Sequence, residues 1–292
     1  MRAHPTHRAL LLLAVIAGSA SARAIAVDGP QSAPAHGTEG PAASGAEGAE
    51  ASGAERAEVS GAERAGAIQP FLAHYTAQWK NISVGVSDLE LKRGAAPGHY
   101  EYRWVISARG IFHLVYAHDV IQQSWFAITG KHVKPERYLG EEGDSSVAFS
   151  FDWATARARG TSEGKPIDIA LKPGSQDLMS IQVEVMLDLQ NDSLAGTFYI
   201  VDKDQLKDFS YERAPPQRLR TEIGSFDTLV VSSRRPGNDR VLTLWFAPSL
   251  GFVPVQAERM RGGKLEFAMR IRSLQRAGRT YRPREEPEEN ER

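Results

Sequence analysis

The chain has 292 residues, a formal net charge of −1 and no cysteine. The near-neutral balance indicates no general attraction to nucleic acid or to an anionic membrane surface. The missing thiol excludes a disulfide framework, a thiolate metal site, a cysteine nucleophile and a lipid-modified N-terminal cysteine. The expectation is a protein with no membrane anchor, held by its own core.

Residues 1–22 read as a secretory signal peptide. Arg2 and Arg8 supply a basic start, Ala9 to Ala17 is a compact apolar run, and the small residues Gly18 to Ala22 follow. The run is about half the roughly 20 apolar residues that a spanning helix needs. Ala20-Ser21-Ala22 is the expected cleavage site; Ala22-Arg23-Ala24 and Ala24-Ile25-Ala26 are alternatives. The expected location is periplasmic or secreted.

Residues 23–67 read as a disordered linker. Three eight-residue units, SGAEGAEA from Ser44, SGAERAEV from Ser52 and SGAERAGA from Ser60, contain almost no large apolar side chain. Too little surface can be buried to offset the entropy of ordering. A transient helix through the Ala/Glu/Arg units is the alternative, weakened by a glycine in each.

Residues 68–275 read as a single β-rich domain. Ala73 to Lys80 leads it. Val84 to Lys92 alternates, with a phase slip that suggests a bulge near Ser87-Asp88. Tyr100 to Ser107 puts Tyr100, Tyr102, Trp104 and Ile106 on one face. Gly110 to His118 fits a short helix or a strand equally. Asp119 to Thr129 and Val133 to Tyr138 read as strands, and then Val147, Phe149, Phe151 and Trp153 form a second one-sided stripe. Ala156 to Gly160 and Ile167 to Leu171 make a hairpin around Gly164-Lys165-Pro166.

One helix interrupts the pattern. From Gln176 to Gln190, Leu178, Ile181, Val185 and Leu189 fall at helical spacing, with Ser175 or Asp177 as the cap and Asn191-Asp192 as the end. Strands resume at Gly196 to Val201, Phe209 to Arg213, Arg218 to Ile223 and Thr228 to Arg234. Val241 to Val255 is an apolar hairpin, with Leu242, Leu244 and Phe246 on one face and a turn at Pro248-Ser249-Leu250-Gly251. Lys264 to Leu274 is the last strand, and residues 276–292 form a charged tail expected to be disordered. The fold class is all-β and mostly antiparallel: a curved sheet or incomplete barrel with one α-helix packed on it.

Several blocks carry a resemblance. LTLWFAPSLGFVPVQ is preceded by TEIGSFDTLVV and followed by Gly262-Gly263, and KPERYLGEEGD, QDLMSIQVEVMLDL and GTFYIVDKDQLKDFSYE precede it in order. Together they resemble a bacterial family catalogued as domain of unknown function 3108, over about residues 68 to 275. The resemblance implies an exported, mostly β protein and assigns no activity or site residue. The plan is also similar to the half-barrel of periplasmic lipoprotein carriers, and fold alone does not set function.

No catalytic set emerges. His113 and His118 are five apart, so they do not share a helix face as a metal pair would. Gly143-Asp144-Ser145 looks like an esterase block, but no histidine follows it. Gly160 to Pro166 is one residue short of a phosphate loop. Asp202, Asp204 and Asp208 lack the glycine and glutamate of a calcium loop. No metal, cofactor or catalytic residue is therefore expected. Arg259, Arg261, Lys264, Arg270 and Arg272 read as a solvated face of the last strands, or as a weak contact for an anionic surface.

The two stripes read either as core or as the lining of a groove for an apolar ligand. On the second reading Tyr100, Tyr102, Trp104, Phe149, Phe151 and Trp153 line it. The expected function is non-enzymatic binding of a lipid or lipidated peptide in the cell envelope. The alternative is a partner that docks another envelope protein by strand addition. A hydrolase built on Asp144 with Glu141 or Glu142 ranks last.

Overall fold

The computed structural model describes residues 68–114 and 116–283. The expected signal peptide, the linker and residues 284–292 of the tail lie outside the described residues.

The first half of the domain is a meander of eight strands: β1 (Phe71–Trp79), β2 (Ile82–Arg93), β3 (His99–Ala108), β4 (Val120–Thr129), β5 (His132–Glu142), β6 (Ser145–Asp152), β7 (Arg157–Ser162) and β8 (Lys165–Ala170). The second half holds a two-residue strand β9 (Gln176–Asp177), the helix α1 (Ser180–Gln190), and then β10 (Thr197–Asp202), β11 (Gln205–Thr221), β12 (Gly224–Arg234), β13 (Arg240–Ala247), β14 (Val253–Arg261), β15 (Lys264–Arg276) and β16 (Arg279–Tyr281). β15 returns to pair with β1, so the spatial order runs from β8 down to β1, then from β15 down to β9. Every pairing is antiparallel except β9 with β10. The sheet is not closed by backbone pairing between β8 and β9. Side chains reach across instead: Lys203 pairs with Glu163 at 2.8 Å and Lys172 with Asp208 at 3.7 Å.

The period-two pattern decides which face is inside. β1, β3 and β4 alternate buried and half-buried residues along nearly their whole length. Tyr75, Tyr102, Trp104 and Phe126 are almost completely buried on that face. Polar tips find partners: Tyr75 donates to the Pro254 carbonyl at 2.6 Å and Trp104 Nε1 donates to Ser87 Oγ at 2.6 Å.

α1 is buried from Ser180 to Leu189. A helix covered all round is normally apolar all round, yet α1 carries Gln182, Glu184 and Asp188. Each is satisfied. Gln182 accepts from the Tyr102 hydroxyl at 3.4 Å; Glu184 accepts from the Val133 N–H at 2.5 Å; Asp188 accepts from the Ala195 N–H at 3.2 Å.

Four details differ from the sequence expectation, and the open choice between helix and strand after Gly110 resolves to a short helix. α1 starts later, because Gln176 and Asp177 form β9 and Asp177 then accepts the Met179 and Ser180 N–H groups as a cap. The β1–β2 register shifts opposite Ala77 and Gln78, near Val84, not at Ser87-Asp88; Ser87 faces inward in unbroken alternation because it serves Trp104. Gly110–Leu114 is a short 3₁₀ turn. The two strands expected at 209–213 and 218–223 are one, β11, whose ladder skips between Ala214 and Gln217, where Pro215 and Pro216 have no N–H to give. The start of the tail is ordered, since Arg279–Tyr281 pairs with β15. In the apolar hairpin, Gly251 does take a positive φ of 69°.

Candidate functional site

Five of the six stripe residues proposed as a ligand lining, Tyr100, Tyr102, Trp104, Phe149 and Phe151, are buried in the core, and Trp153 is half-buried against it. Aromatic partners fill the space beside them. Tyr100 stacks on Phe126 at 6.0 Å, Phe149 on Tyr138 at 5.1 Å and Phe151 on Trp153 at 5.6 Å. Trp104 borders a pinhole beside Tyr75 and Leu244 with room for about 10 Å³ of water-sized centres.

The larger opening lies elsewhere, between α1 and the second half of the sheet. One wall is Leu178, Ile181, Gln182 and Val185. The other comprises Ile200 of β10, Phe209 and Tyr211 of β11, Val231 of β12, and Leu242, Leu244 and Phe246 of β13. This hollow measures about 730 Å³ with the open space at its side included, while room for water-sized centres is about 50 Å³. Ligand sites for small molecules run to roughly 300–1,000 Å³. The enclosed room of the hollow, about 50 Å³, falls well below that range, so a seated guest requires α1 to shift.

One part of the hollow is cationic. Arg234 at the end of β12 and Arg235 and Asn238 from the turn to β13 line it, together with Arg240 and Arg259. Arg259 is only 4% exposed and Arg240 8%. Both approach the Glu266 carboxylate, Arg259 at 2.8 Å and Arg240 at 3.3 Å, and Arg261 reaches it at 4.0 Å. Burial pulls the Arg259 guanidinium down to about 10, and Glu266 opposes that shift. Arg259 therefore does not belong to the solvated face expected of the last strands. The β14–β15 register shifts between Arg259 and Met260, and Arg259 lies inside. Arg270 and Arg272 do face outward, to Glu258 and Glu222. Arg240 was absent from the expected site, although its parity with Leu242, Leu244 and Phe246 puts it on their face.

Two further groups carry titratable side chains. His132 Nδ1 lies 2.8 Å from Glu184 Oε1, and potential ligand atoms of His132, Glu184 and Asp188 fall within 4.8 Å of one another. Their oxygens are already used: Glu184 also accepts from Val133 N–H, and Asp188 from Ala195 N–H and Ser193 Oγ. The arrangement latches α1 to β5. The Glu184 and Asp188 spacing of four along α1 was its only sequence signal. Of the carboxylates considered for hydrolysis, Glu141 and Glu142 are successive residues of β5 and point to opposite faces, with Asp144 in the turn to β6.

Residues 74–267 match the model of a family described as protein of unknown function, DUF3108. The chain belongs to that family. No curated protein matches it. Among solved structures, a candidate lipoprotein from Parabacteroides distasonis aligns with a TM-score of 0.30 and 10% identity, over 71% of this chain and 95% of its own. A candidate exported protein with a YmcC-like fold from Bacteroides fragilis aligns with a TM-score of 0.27 and 10% identity, over 73% and 95%. Among the described residues of this DUF3108 member, no helix is long and apolar enough to cross a membrane.

Proposed function

We propose that this DUF3108 protein is an exported, non-enzymatic protein of the cell envelope that binds an apolar ligand in the hollow between α1 and β10–β13. The observation that carries the reading is the hollow itself: an open-sided groove walled by aliphatic and aromatic side chains inside a curved sheet. The signal-peptide pattern supports export. The stripes serve by making the first half of the sheet a rigid backing for α1.

The test is native mass spectrometry of the protein recovered from the exported fraction, with solvent extraction of what it carries. A defined apolar molecule bound one-to-one is expected. Leu242→Asp, on the half-buried part of the groove wall, should lose it while circular dichroism stays unchanged. A clean apo mass for the wild type, or a folded Leu242→Asp that keeps its ligand, would sink the reading.

The second reading, strand addition to another envelope protein, has its own observation. The outer edge of β8 pairs with no strand among the described residues. Pro166 on that strand removes one donor from the edge. Crosslinking in intact cells from positions on β8 should trap one dominant partner if this reading holds.

A further inference from the structure

We infer that the hollow takes an amphiphile with an anionic head, a carboxylate or phosphate, bound beside Arg235 and Arg240 with its chain along Leu242 and Leu244. This deepens the ligand reading above and rests on it.

Arg240 is nearly buried in a mainly apolar wall, and such a guanidinium is costly unless an anion compensates it. The carboxylate within its reach is Glu266, which Arg259 approaches more closely and Arg261 also approaches. Glu266 is thus shared by Arg259 and Arg240, with Arg240 at the longer distance, while Arg261 also has Asp239 at 3.5 Å. Its Nε makes no well-directed hydrogen bond among the described residues. Arg235 is half-buried, lines the same hollow, and has no carboxylate in ion-pair range among the described residues. Its neighbour Arg234 is answered by Glu212 at 3.2 Å. Positive charge therefore remains at one part of a groove whose other walls are apolar.

That pairing matches an amphiphile. Guanidinium groups bind carboxylate and phosphate through charge-assisted, often bidentate hydrogen bonds. Away from bulk water the attraction is stronger than at an exposed site. The aliphatic side chains of β13 continue from Arg240 on the same face, so head and chain contacts lie in one line along the strand. The limited room under α1 favours a ligand whose chain leaves by the open side.

The test is calorimetric titration of the full chain with laurate, dodecyl phosphate and dodecanol, the two anions below their micelle concentrations and dodecanol below its solubility limit. At least one anionic probe should bind about tenfold or more tightly than dodecanol, the scale of one charge-assisted hydrogen bond. Whichever anion binds better distinguishes a carboxylate head from a phosphate. The preference should collapse in Arg240→Gln and in Arg235→Gln. Because Arg235 is half-buried and has no ion-pair partner among the described residues, its variant should remain folded even if Arg240→Gln does not. Equal binding of all three probes, or a preference that survives both substitutions, overturns the anionic head and leaves the apolar hollow standing. Binding of none removes the hollow reading and this inference with it.

Discussion

Ser124 donates its hydroxyl to the Asp177 carboxylate at 2.7 Å, tying β4 to the start of α1. The same carboxylate accepts the Met179 and Ser180 N–H groups, each at 2.8 Å. Burial nevertheless outweighs these bonds and pushes Asp177 up to about 6 from an ordinary 3.8. A carboxyl whose folded pKa is raised binds its proton more tightly in the folded state. Its contribution is full below the unfolded pKa and is lost as pH rises through about 6. The loss is roughly 3 kcal/mol by order of magnitude. Urea denaturation at pH 4 and pH 7.5 should show the wild type losing stability across this window. Asp177→Asn keeps the acceptor for the helix and should flatten that part of the profile. Equal pH profiles would show that Asp177 is not the group responsible.

Ser87 should matter more than an isolated serine on a strand. Its Oγ is the acceptor for buried Trp104 Nε1, and it is itself fully buried. Ser87→Ala leaves the indole N–H without that partner, at about 1–3 kcal/mol. In a Trp104→Phe background the donor is gone, so the same serine change should cost much less. A double-mutant cycle on urea midpoints reads the difference. Additive losses would mean the bond contributes nothing.

The Ser87 case also shows where sequence reading stops. Alternation of large apolar residues made the inward faces of β3 and β6 legible, and helical spacing found α1. Polar residues on those same faces were read as outward or as register slips, because polarity was taken as exposure. Ser87, Arg240 and Arg259 are inward for reasons that lie in distant partners: Trp104 for the first, and Glu266 for the other two. Parity along β13 does place Arg240 with Leu242 and Leu244. The hollow was not legible at all. Its walls come from α1 and from β10 to β13, and which strands α1 leaves uncovered depends on the order of the sheet, which no local pattern states.

Gly251 should not tolerate a side chain. It sits at a φ of 69° after the Pro248–Leu250 turn, in the left-handed region that favours glycine. A Cβ there would also press on the Arg276 guanidinium, the end of a flexible side chain that can give way. Gly251→Ala should lower stability by about 1–2 kcal/mol from backbone strain, with a further steric part. Adding Arg276→Ala should recover only the steric part. Full recovery would assign the whole effect to the arginine; no loss in the single variant would refute the strain.

Lys207 and Asp202 form a buried ion pair in the β10–β11 hairpin, beside the unclosed edge of the sheet. The N–O distance is 2.7 Å, with side chains 8% and 0% exposed. Lys207 Nζ donates to Asp202 Oδ2, and Oδ1 has no hydrogen-bond partner among the described residues. Lys207→Met removes the counter-charge and strands a carboxylate that has no route to water. The cost should be about 3–5 kcal/mol. The double variant Lys207→Met with Asp202→Leu removes both charges and should recover most of it, because two well-packed apolar groups avoid the desolvation that the pair bears. Thermal melts of the three proteins decide the point. If the double variant is no more stable than Lys207→Met, the aspartate is holding the hairpin through something other than the lysine.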